Sequence, residues 1–439
     1  MAISHNLSIY ITLAVLYLTT SCGAPTDKMN DPGNLRAFVG GTVIDGTGAA
    51  PIAHAVIIVR DGKIETVGTV GEEIVPPDAD VIDTSGKFVV PGMINAHGHV
   101  GGTLGMEGNH YSRENVLRQL GLYGRYGVTT VLSLGGDEEP GVQVRDEQNM
   151  PGLDRSRLFV AGTVVTGDTP EAALKLVEHN AALGADFIKI RVDDNLGTID
   201  KMTPTVYKAV IDRAHELKLP VASHLFYLDD AKGLLEAGTD FVVHSVRDQD
   251  VDDELSQLLI QNDVCYSPTL AREYVMYAYE EIPSFFDDPF FLAEADPAVL
   301  EQLKAPERMA SVANSSTAQR YKAALSQAQE NLQNLSQAGV TIAMGTDTGP
   351  PTRFQGYFEH LELALMAEAG MSPMDILVSA TGHAARCIGR EDIGTLQNGR
   401  WADLVVLDKD PLESIENFRS IQSVWIAGSK LSSIGTNAN

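Results

Sequence analysis

The chain has 439 residues, 44% of them hydrophobic and 21% charged, which is ordinary composition for a globular protein with a large core. Lys and Arg number 32 and Asp and Glu 59, so the formal net charge is −27. A surface this acidic repels nucleic-acid backbones and anionic membranes, and we therefore expect no nucleic-acid binding and no electrostatic attachment to lipid.

The first 22 residues have the pattern of an export signal. A mostly apolar run from Leu7 to Leu18 is shorter than the roughly 20 residues that span a bilayer and is typical of the central part of a signal peptide. Small residues and Cys22 follow, similar to a bacterial lipobox, although Lys and Arg are absent before the run and Thr19 stands where Leu is usual. We expect residues 1–22 to be a signal peptide and residues 23–34 a linker. The protein would then be exported, either periplasmic or lipid-anchored to the bacterial envelope through Cys22.

Period-two alternation of apolar residues predicts short strands at both ends of the chain. The candidates are Ala37–Val43, Ala55–Arg60, Lys63–Val67, Val81–Ile82, Ala402–Leu407 and Ser423–Ala427. We predict that residues 35–87 and 391–439 combine into one small composite β-sandwich.

Between these ends, residues 88–390 alternate strand-like and helix-like segments. Pro170–Leu183, Pro204–Leu217 and Ala318–Ala338 are amphipathic and predict helices. The predicted strands are Phe88–Ile94, Thr129–Leu134, Leu158–Ala161, Asp186–Arg191, Val221–His224, Phe241–His244, Val264–Ser267 and Thr341–Met344. Eight strands alternating with helices favour an α/β fold of the TIM (β/α)8 barrel type. A doubly wound sheet is the alternative, but it does not need eight strands.

An insertion at residues 274–304 follows the seventh predicted strand and is rich in aromatic and acidic residues from Tyr274 to Phe291. Loops at the carboxyl ends of barrel strands commonly build the active site. The insertion therefore predicts a lid or a substrate wall, or else a helical hairpin that packs its own aromatic side chains.

Two cysteines, Cys265 and Cys387, lie beyond Cys22. Both have apolar neighbours, and two distant cysteines do not amount to a disulfide framework. We expect them to be buried free thiols.

Histidines and one aspartate follow several of the predicted strands. His97 and His99 end the first strand, and alternate residues of a strand point to the same side. Two neutral imidazoles suit Zn, Fe or Ni, although such a pair alone is more often a solvent-facing loop. His224, His244 and Asp347 end or follow the fifth, sixth and eighth strands. Because the carboxyl ends of barrel strands meet at one rim, the five residues together predict a metal site.

Lys189 lies in the fourth predicted strand, where alternation sends Ile188 and Ile190 outward and the lysine inward. An inward lysine is costly unless it is paired or neutral, and burial and metal charge lower its pKa from about 10.4. A neutral amine reacts with carbon dioxide to give a carbamate, an anionic ligand that could bridge two metals. The alternative is a lysine paired with a barrel carboxylate.

Four segments resemble the amidohydrolase superfamily, and the resemblance runs from about residue 35 to the end. They are Val90–His99, Gly184–Ile190, Gly345–Asp347 and Ile393–Leu407. The chain is most similar to the branch that contains imidazolonepropionase and dipeptidases that remove C-terminal amino acids.

This resemblance implies a role for each candidate ligand. His97, His99 and Asp347 would hold one metal, His224 and His244 a second, and a carbamylated Lys189 would bridge the two. The implied cofactor is Zn²⁺, two ions per chain, with another divalent metal as the alternative. Asp347 would also take and relay the proton of the attacking water.

The substrate is less well specified, because residues 160–167 lack the loop pattern expected of the dipeptidases. We predict hydrolysis of an amide bond in a small molecule such as a dipeptide or an N-acylated amino acid. The alternatives are an ester, lactone or phosphotriester hydrolase, or a metal-free binding protein, which would typically have lost ligands. Arg191, Arg247 and Tyr266 are candidates for substrate binding, since an arginine can hold a carboxylate bidentately. Pairing with acidic residues is the alternative for both arginines.

Overall fold

The computed structural model describes residues 35–435. The predicted signal peptide, with Cys22, and the predicted linker lie outside the described residues. Within residues 35–435, no helix is both long enough and apolar enough to cross a membrane.

The strands of the described chain form four sheets. The orders are β4-β3-β1-β5, β16-β15-β14-β6-β2, β7-β8-β9 and β10-β11-β12-β13. The strands are β1 Leu35–Val39, β2 Thr42–Val43, β3 Ala55–Arg60, β4 Lys63–Thr69, β5 Asp80–Asp83, β6 Phe88–Pro91, β7 Met93–Gly98, β8 Val128–Ser133, β9 Arg157–Val160, β10 Ile188–Arg191, β11 Val221–His224, β12 Phe241–Val243, β13 Cys265–Ser267, β14 Leu404–Leu407, β15 Ile421–Ile426 and β16 Ser429–Lys430.

The two ends of the chain share a sheet and a hydrophobic core. β14, from the C-terminal part, pairs antiparallel with β6 from the N-terminal part, and β6 pairs in parallel with β2. One apolar cluster joins this sheet to the sheet that contains β1 and β3. It includes Phe38, Ile57, Val89, Leu404 and Trp425.

The other two sheets are entirely parallel, and isolated parallel bridges connect them. The bridges pair Val165 with Ile190, Tyr266 with Ile342 and Gly98 with Thr348. Backbone hydrogen bonds run alongside, from the Ala343 N–H to the Tyr266 carbonyl and from the Ala96 N–H to the Met344 carbonyl, both 2.9 Å. Residues 341–348 therefore lie between β13 and β7.

Three predicted strands are divided or largely lost in the structure. Ala37–Val43 is divided at Gly40 and Gly41, so that β1 and β2 belong to different sheets. Phe88–Ile94 is divided at Gly92, so that β6 belongs to the antiparallel sheet and β7 to a parallel one. Only glycine fits at this division, because a Cβ atom there would lie 2.1 Å from Thr129 Cγ2. Thr341–Met344 contains a single bridge, at Ile342, because the chain leaves the regular ladder before the left-handed residue Asp347, whose φ is 57°.

The helices follow the predicted amphipathic stretches closely. For example, α3 begins after Thr169, whose side chain caps the Ala172 N–H, and ends at the left-handed Gly184, as helix-capping preferences lead one to expect. The helices are α1 Arg113–Arg125, α2 Glu139–Asp146, α3 Pro170–Leu183, α4 Pro204–Glu216, α5 Leu228–Glu236, α6 Asp253–Gln261, α7 Leu270–Ala278, α8 Pro289–Leu292, α9 Pro297–Leu303, α10 Pro306–Ala313, α11 Ser316–Gln337, α12 Tyr357–Glu368, α13 Pro373–Ser379 and α14 Gly382–Cys387.

The aromatic insertion is attached to α12. Phe285 and Phe291 are buried, and their ring centroids lie 5.5 and 4.9 Å from that of Tyr357. Phe285 also meets Phe358 edge-on at 5.8 Å. The insertion thus packs its aromatic side chains against α12 and also against one another, with the ring centroids of Phe285 and Phe291 5.0 Å apart. This agrees with the aromatic packing that the hairpin alternative expected, and a role as a lid or substrate wall stays a prediction.

Cys265 and Cys387 form a disulfide, so the prediction of two free thiols is wrong. Their Cα atoms are 5.8 Å apart although 122 residues separate them in the sequence. The bond joins the start of β13 to the end of α14. Separation along the chain could not reveal this contact, because it depends on how the last helices pack against the parallel strands.

Candidate active site

The six predicted metal ligands gather at the carboxyl ends of the parallel strands. His97 and Lys189 lie within β7 and β10, His224 is the last residue of β11, and His99 and His244 follow β7 and β12 directly. Asp347 lies in the segment between β13 and β7, where its N–H donates to the His97 carbonyl at 2.7 Å. Positions within the parallel strands, at their ends and just beyond them therefore supply the set.

His97 is at the centre of this group and is almost fully buried. Its Nε2 lies 3.3 Å from Lys189 Nζ and 3.7 Å from Asp347 Oδ1, and its ring centroid is 4.7 Å from that of His244. Asp347 Oδ1 is also 2.9 Å from His99 Nε2. Ligand atoms of His97, His99 and Asp347 lie within 4.8 Å of one another, close enough for one ion to bind all three.

His224 and His244 form the other side of the group. Their ring centroids are 4.1 Å apart. His224 Nε2 bonds to Asp193 Oδ2 at 2.8 Å, and His244 Nδ1 bonds to the Thr269 hydroxyl at 2.7 Å. These bonds leave His224 Nδ1 and His244 Nε2 as the nitrogens available to an ion, since partners outside the ligand set orient metal-binding histidines in this way.

Burial favours the neutral form of His97, His224 and His244. It lowers the pKa of His224 to about 3 and holds the pKa values of His97 and His244 well below the usual range. Burial also lowers the pKa of Lys189 to about 7. Neutral imidazole is the form that binds metals, so the site presents its nitrogens ready for coordination.

The donor set fits a divalent ion. His97 Nδ1 is buried and has no hydrogen-bond partner among the residues that the structure describes, while His99 Nδ1 bonds to the Gly135 carbonyl at 2.9 Å and leaves Nε2 free to face Asp347. Unpaired buried polar atoms are rare without a functional reason. Imidazole nitrogens with a carboxylate oxygen are donors that zinc accepts.

Two site residues have backbone conformations that are uncommon outside glycine. The φ angles are 57° at Asp347 and 72° at His244. Strain of this kind costs about 1–3 kcal/mol per residue and tends to concentrate at functional sites. Both side chains therefore occupy positions that the surrounding contacts must hold.

Arginines that the sequence did not single out surround Asp347. Arg353 Nη1 lies 2.5 Å from Asp347 Oδ2, and Arg272 Nε is 3.5 Å from the same oxygen. Burial opposes ionisation of this carboxyl, but the charge of Arg353 and the hydrogen bond with His99 keep the pKa of Asp347 well below its ordinary value. The aspartate is thus ionised and able to act as a ligand and a base.

Comparison with known proteins agrees with this geometry. The model of the amidohydrolase family matches residues 88–431. The chain belongs to the amidohydrolase family.

Relatives of this amidohydrolase include enzymes with different substrates. Imidazolonepropionase of Streptomyces griseus is 24% identical over 400 residues, which are 88% of this chain and 95% of that protein. Ochratoxinase of Aspergillus niger is 32% identical over 282 residues, 61% of this chain and 51% of that protein. A solved Xaa-Pro dipeptidase with bound methionine in its active site superposes with a TM-score of 0.72 at 21% identity, covering 90% of this chain and 99% of that one. The amidohydrolase described here is accordingly a hydrolase that acts on carbon–nitrogen bonds.

The three predicted substrate-binding residues of the amidohydrolase have different surroundings. Arg247 is buried, with its Nε 3.0 Å from Glu273 Oε1 and its Nη1 donating to the Leu225 carbonyl at 3.0 Å. The Tyr266 hydroxyl is also buried and accepts the Val246 N–H at 2.8 Å. The side chain of Arg191 is 36% exposed and 3.8 Å from Asp193. Their roles stay predictions, and Arg191 is the one with open access to solvent.

One residue of this region could have been found from the sequence. Asp193 continues the alternation of Lys189 and Arg191, so it belongs on the same inward face. Arg353 and Arg272 lie in a loop and a helix, where no alternation marks a side chain as facing the site.

Proposed function

We propose that this amidohydrolase is a (β/α)8-barrel enzyme that binds two divalent ions, most simply Zn²⁺, and hydrolyses the amide bond of a dipeptide or an N-acylated amino acid. In this proposal the N- and C-terminal sheets form a composite β-sandwich beside the barrel. The observation that carries it is the contact of His97, His99, His224, His244 and Asp347 around a buried Lys189.

The surroundings of Lys189 support a carbamate on its amine. Within residues 35–435, no carboxylate lies within ion-pair distance of Lys189 Nζ, whose close polar neighbour is His97 Nε2 at 3.3 Å. An unpaired ammonium buried in this position is costly, whereas a carbamate adds an anion. That anion would offset the charge of two dications, which five ligands with one carboxylate leave largely uncompensated.

In the proposed reaction, the metal ions and the residues of the chain have separate roles. Bound divalent ions supply the activation of water, by lowering its pKa to about 7, and the polarisation of the substrate carbonyl. Asp347 lies where it can take a proton from the attacking water and deliver it to the leaving amine. Arg353 keeps Asp347 oriented and ionised, and Arg191 lies at the open side of the group, where it can bind a substrate carboxylate.

The relatives support a C–N bond as the target. Membership of the amidohydrolase family and a Xaa-Pro dipeptidase with the same fold agree with amide hydrolysis more readily than with attack on an ester or a phosphotriester. We also propose that the enzyme is exported, because the disulfide between Cys265 and Cys387 suits an oxidising compartment.

A substrate screen with counted metal tests the proposal. The metal-replete enzyme would be assayed on dipeptides, N-acyl amino acids, lactones and phosphotriesters, with metal measured by mass spectrometry. We expect about two ions per chain and turnover of the amides. The amide of each N-acyl amino acid, which lacks the carboxylate, is the matched control, and equal rates for acid and amide would contradict the role of Arg191. Turnover confined to lactones or phosphotriesters would overturn the substrate assignment.

A further inference from the structure

Glu359 is a fully buried carboxylate on α12, outside the set of predicted metal ligands. Its Oε1 accepts hydrogen bonds from Asn95 Nδ2 at 2.7 Å, the Thr346 hydroxyl at 2.8 Å and the Thr348 hydroxyl at 2.6 Å. Its Oε2 accepts the N–H of Gly356 at 2.6 Å, at the start of its own helix. Both oxygens of this carboxylate are thus occupied by donors.

These partners are direct neighbours of the metal ligands. Thr346 and Thr348 flank Asp347 in the sequence, and Asn95 Oδ1 accepts the N–H of His97 at 3.0 Å. A single oxygen of Glu359 therefore ties the segment that carries Asp347 to the strand that carries His97.

Only part of this network has a fixed hydrogen-bond direction, because either hydroxyl of the pair Tyr123 and Thr348 can be the donor. Asn95 Nδ2 also lies 2.8 Å from the Thr346 hydroxyl, and the Tyr123 hydroxyl lies 2.7 Å from that of Thr348. If each threonine donates its one hydroxyl proton to Glu359, its oxygen is left to accept from Asn95 or Tyr123. In every such arrangement Glu359 Oε1 accepts from Asn95 and Oε2 from Gly356, because an N–H group can only donate.

The network must hold an unfavourable backbone conformation at Asp347. Its φ of 57° is unfavourable for a residue with a Cβ atom, and strain of about 1–3 kcal/mol persists only where neighbouring contacts over-determine the conformation. The hydroxyls on either side of Asp347 are anchored at the same oxygen.

We propose that Glu359 is a positioning residue for the metal centre: through Thr346, Thr348 and Asn95 it fixes Asp347 against His97. This inference rests on the proposed function, because it assumes that those residues bind an ion. Removal of the Glu359 oxygens then loosens the ligand set without removing any ligand. Outer partners of this kind are typically worth about 10–100-fold in metal affinity.

The chain offers a matched control in Glu362, one turn further along α12. Glu362 is also fully buried, but its oxygens accept the N–H groups of Leu270 and Ala271 at 2.8 and 2.6 Å, at the start of α7. Glu359→Met and Glu362→Met therefore remove the same chemical group from the same helix, and only the first group is bonded to residues that flank the predicted ligands.

The test is a titration of the metal-free proteins with Co²⁺, followed by the visible absorption of the bound ion, alongside thermal melting of the metal-free state. We expect Glu359→Met to weaken Co²⁺ binding about 10–100-fold and to change the spectrum. Glu362→Met should melt earlier but weaken Co²⁺ binding less, because Glu362 contacts only the start of α7 and reaches the predicted ligands indirectly, through Thr269 and Arg272. Glu359→Gln should recover most of the affinity, because its amide oxygen can accept the three donors at the Oε1 position.

The outcomes separate the two proposals. If the wild type fails to bind Co²⁺, the proposed function is overturned, and this inference falls with it. If the wild type binds and Glu359→Met binds equally well, or no worse than Glu362→Met, only the positioning role is overturned. Should Glu359→Met not fold, Thr346→Val removes one hydroxyl of the same network and leaves Glu359 in place. Unchanged Co²⁺ affinity and spectrum in that variant would likewise contradict the inference.

Discussion

At the scale of single residues, the proposed function gives Asp347 two tasks. Its Oδ1 faces His97 and His99, at 3.7 and 2.9 Å, as a ligand would, while its Oδ2 is held by Arg353. A carboxylate with both oxygens fixed in this way can bind an ion and still exchange a proton with water beside it. His99 and Arg353 thus hold the carboxylate of Asp347 in one orientation.

Replacement of Asp347 by asparagine should show this double role. The amide cannot take a proton, and general acid–base steps are worth about 10²–10⁴-fold, so we expect turnover to fall by at least that factor. The measurement is steady-state kinetics at matched metal content. Asp186→Asn is the control, since Asp186 precedes β10 at its amino end and pairs with Arg145. Turnover near the wild-type value in Asp347→Asn would remove Asp347 from the mechanism.

Substitution of Lys189 tests whether the site binds two ions or one. If its carbamate bridges the ions, Lys189→Ala should lose about one ion per chain together with activity, while the protein stays folded. Metal analysis and circular dichroism measure both properties, and a short carboxylic acid added to the variant should restore part of the activity. Lys201→Ala, at a surface lysine paired with Asp230, is the control. A metal-replete crystal structure at neutral pH with a bare amine at Lys189 would contradict the binuclear proposal.

The sequence indicated five of these candidate ligands because each lies at or just past the end of a strand-like segment. Lys189 was indicated by alternation within such a segment. Alternation and strand order are local patterns, and they were enough to bring His97, Lys189 and His224 to one rim. Glu359 and Arg353 could not be found in the same way. They reach the site from a helix and a loop, and their bonds to Thr346 and Asp347 exist only after the elements have packed.

At the scale of elements, helices were easier to predict than strand boundaries. α3 was predicted with its observed bounds, because Thr169 and Gly184 cap it by local chemistry. The division of Phe88–Ile94 at Gly92 was missed, because its cause is the close approach of Thr129 from another strand. A steric contact of that kind has no local signature in the sequence.

The junction between β9 and β14 depends on one buried ion pair. Arg157 Nε lies 2.7 Å from Asp403 Oδ2, and both side chains are almost completely buried. The guanidinium also stacks over Trp401, with its Cζ atom 4.6 Å from the ring centroid. Asp403 Oδ1 accepts the Ala427 N–H at 2.7 Å as well, so this carboxylate joins a parallel strand to the C-terminal strands.

Removal of one partner should therefore be costly. Arg157→Met leaves Asp403 buried without its counter-charge, and we expect the free energy of unfolding to fall by about 3–5 kcal/mol. Chemical denaturation measures this change. Arg60→Met breaks the exposed pair with Glu65 and should cost about 1 kcal/mol or less. Equal losses in the two variants would show that the buried pair does not hold the junction.

At the scale of the whole molecule, the disulfide joins parts that are distant in the sequence. Cys265 lies at the start of β13 and Cys387 at the end of α14, and the chain between them contains the aromatic insertion, Asp347 and Glu359. The bond therefore encloses Asp347, but none of the other five predicted ligands, in one covalent loop. No pattern near either cysteine predicts this pairing, since it depends on the last helices returning to the parallel strands.

Reduction should consequently destabilise the protein as a whole. Native disulfides typically contribute about 2–5 kcal/mol, with the larger values for longer loops in the chain-entropy model, and 122 residues separate these two cysteines. We expect a reductant to lower the melting temperature of residues 35–435 by several degrees, as a loss of that size implies. The control is the double variant Cys265→Ala/Cys387→Ala, which should melt near the reduced wild type and be insensitive to reductant. The same melting temperature for the oxidised and reduced wild type would contradict a stabilising role. It would also remove the structural support for an oxidising compartment, which would then rest on the signal-like N-terminal sequence.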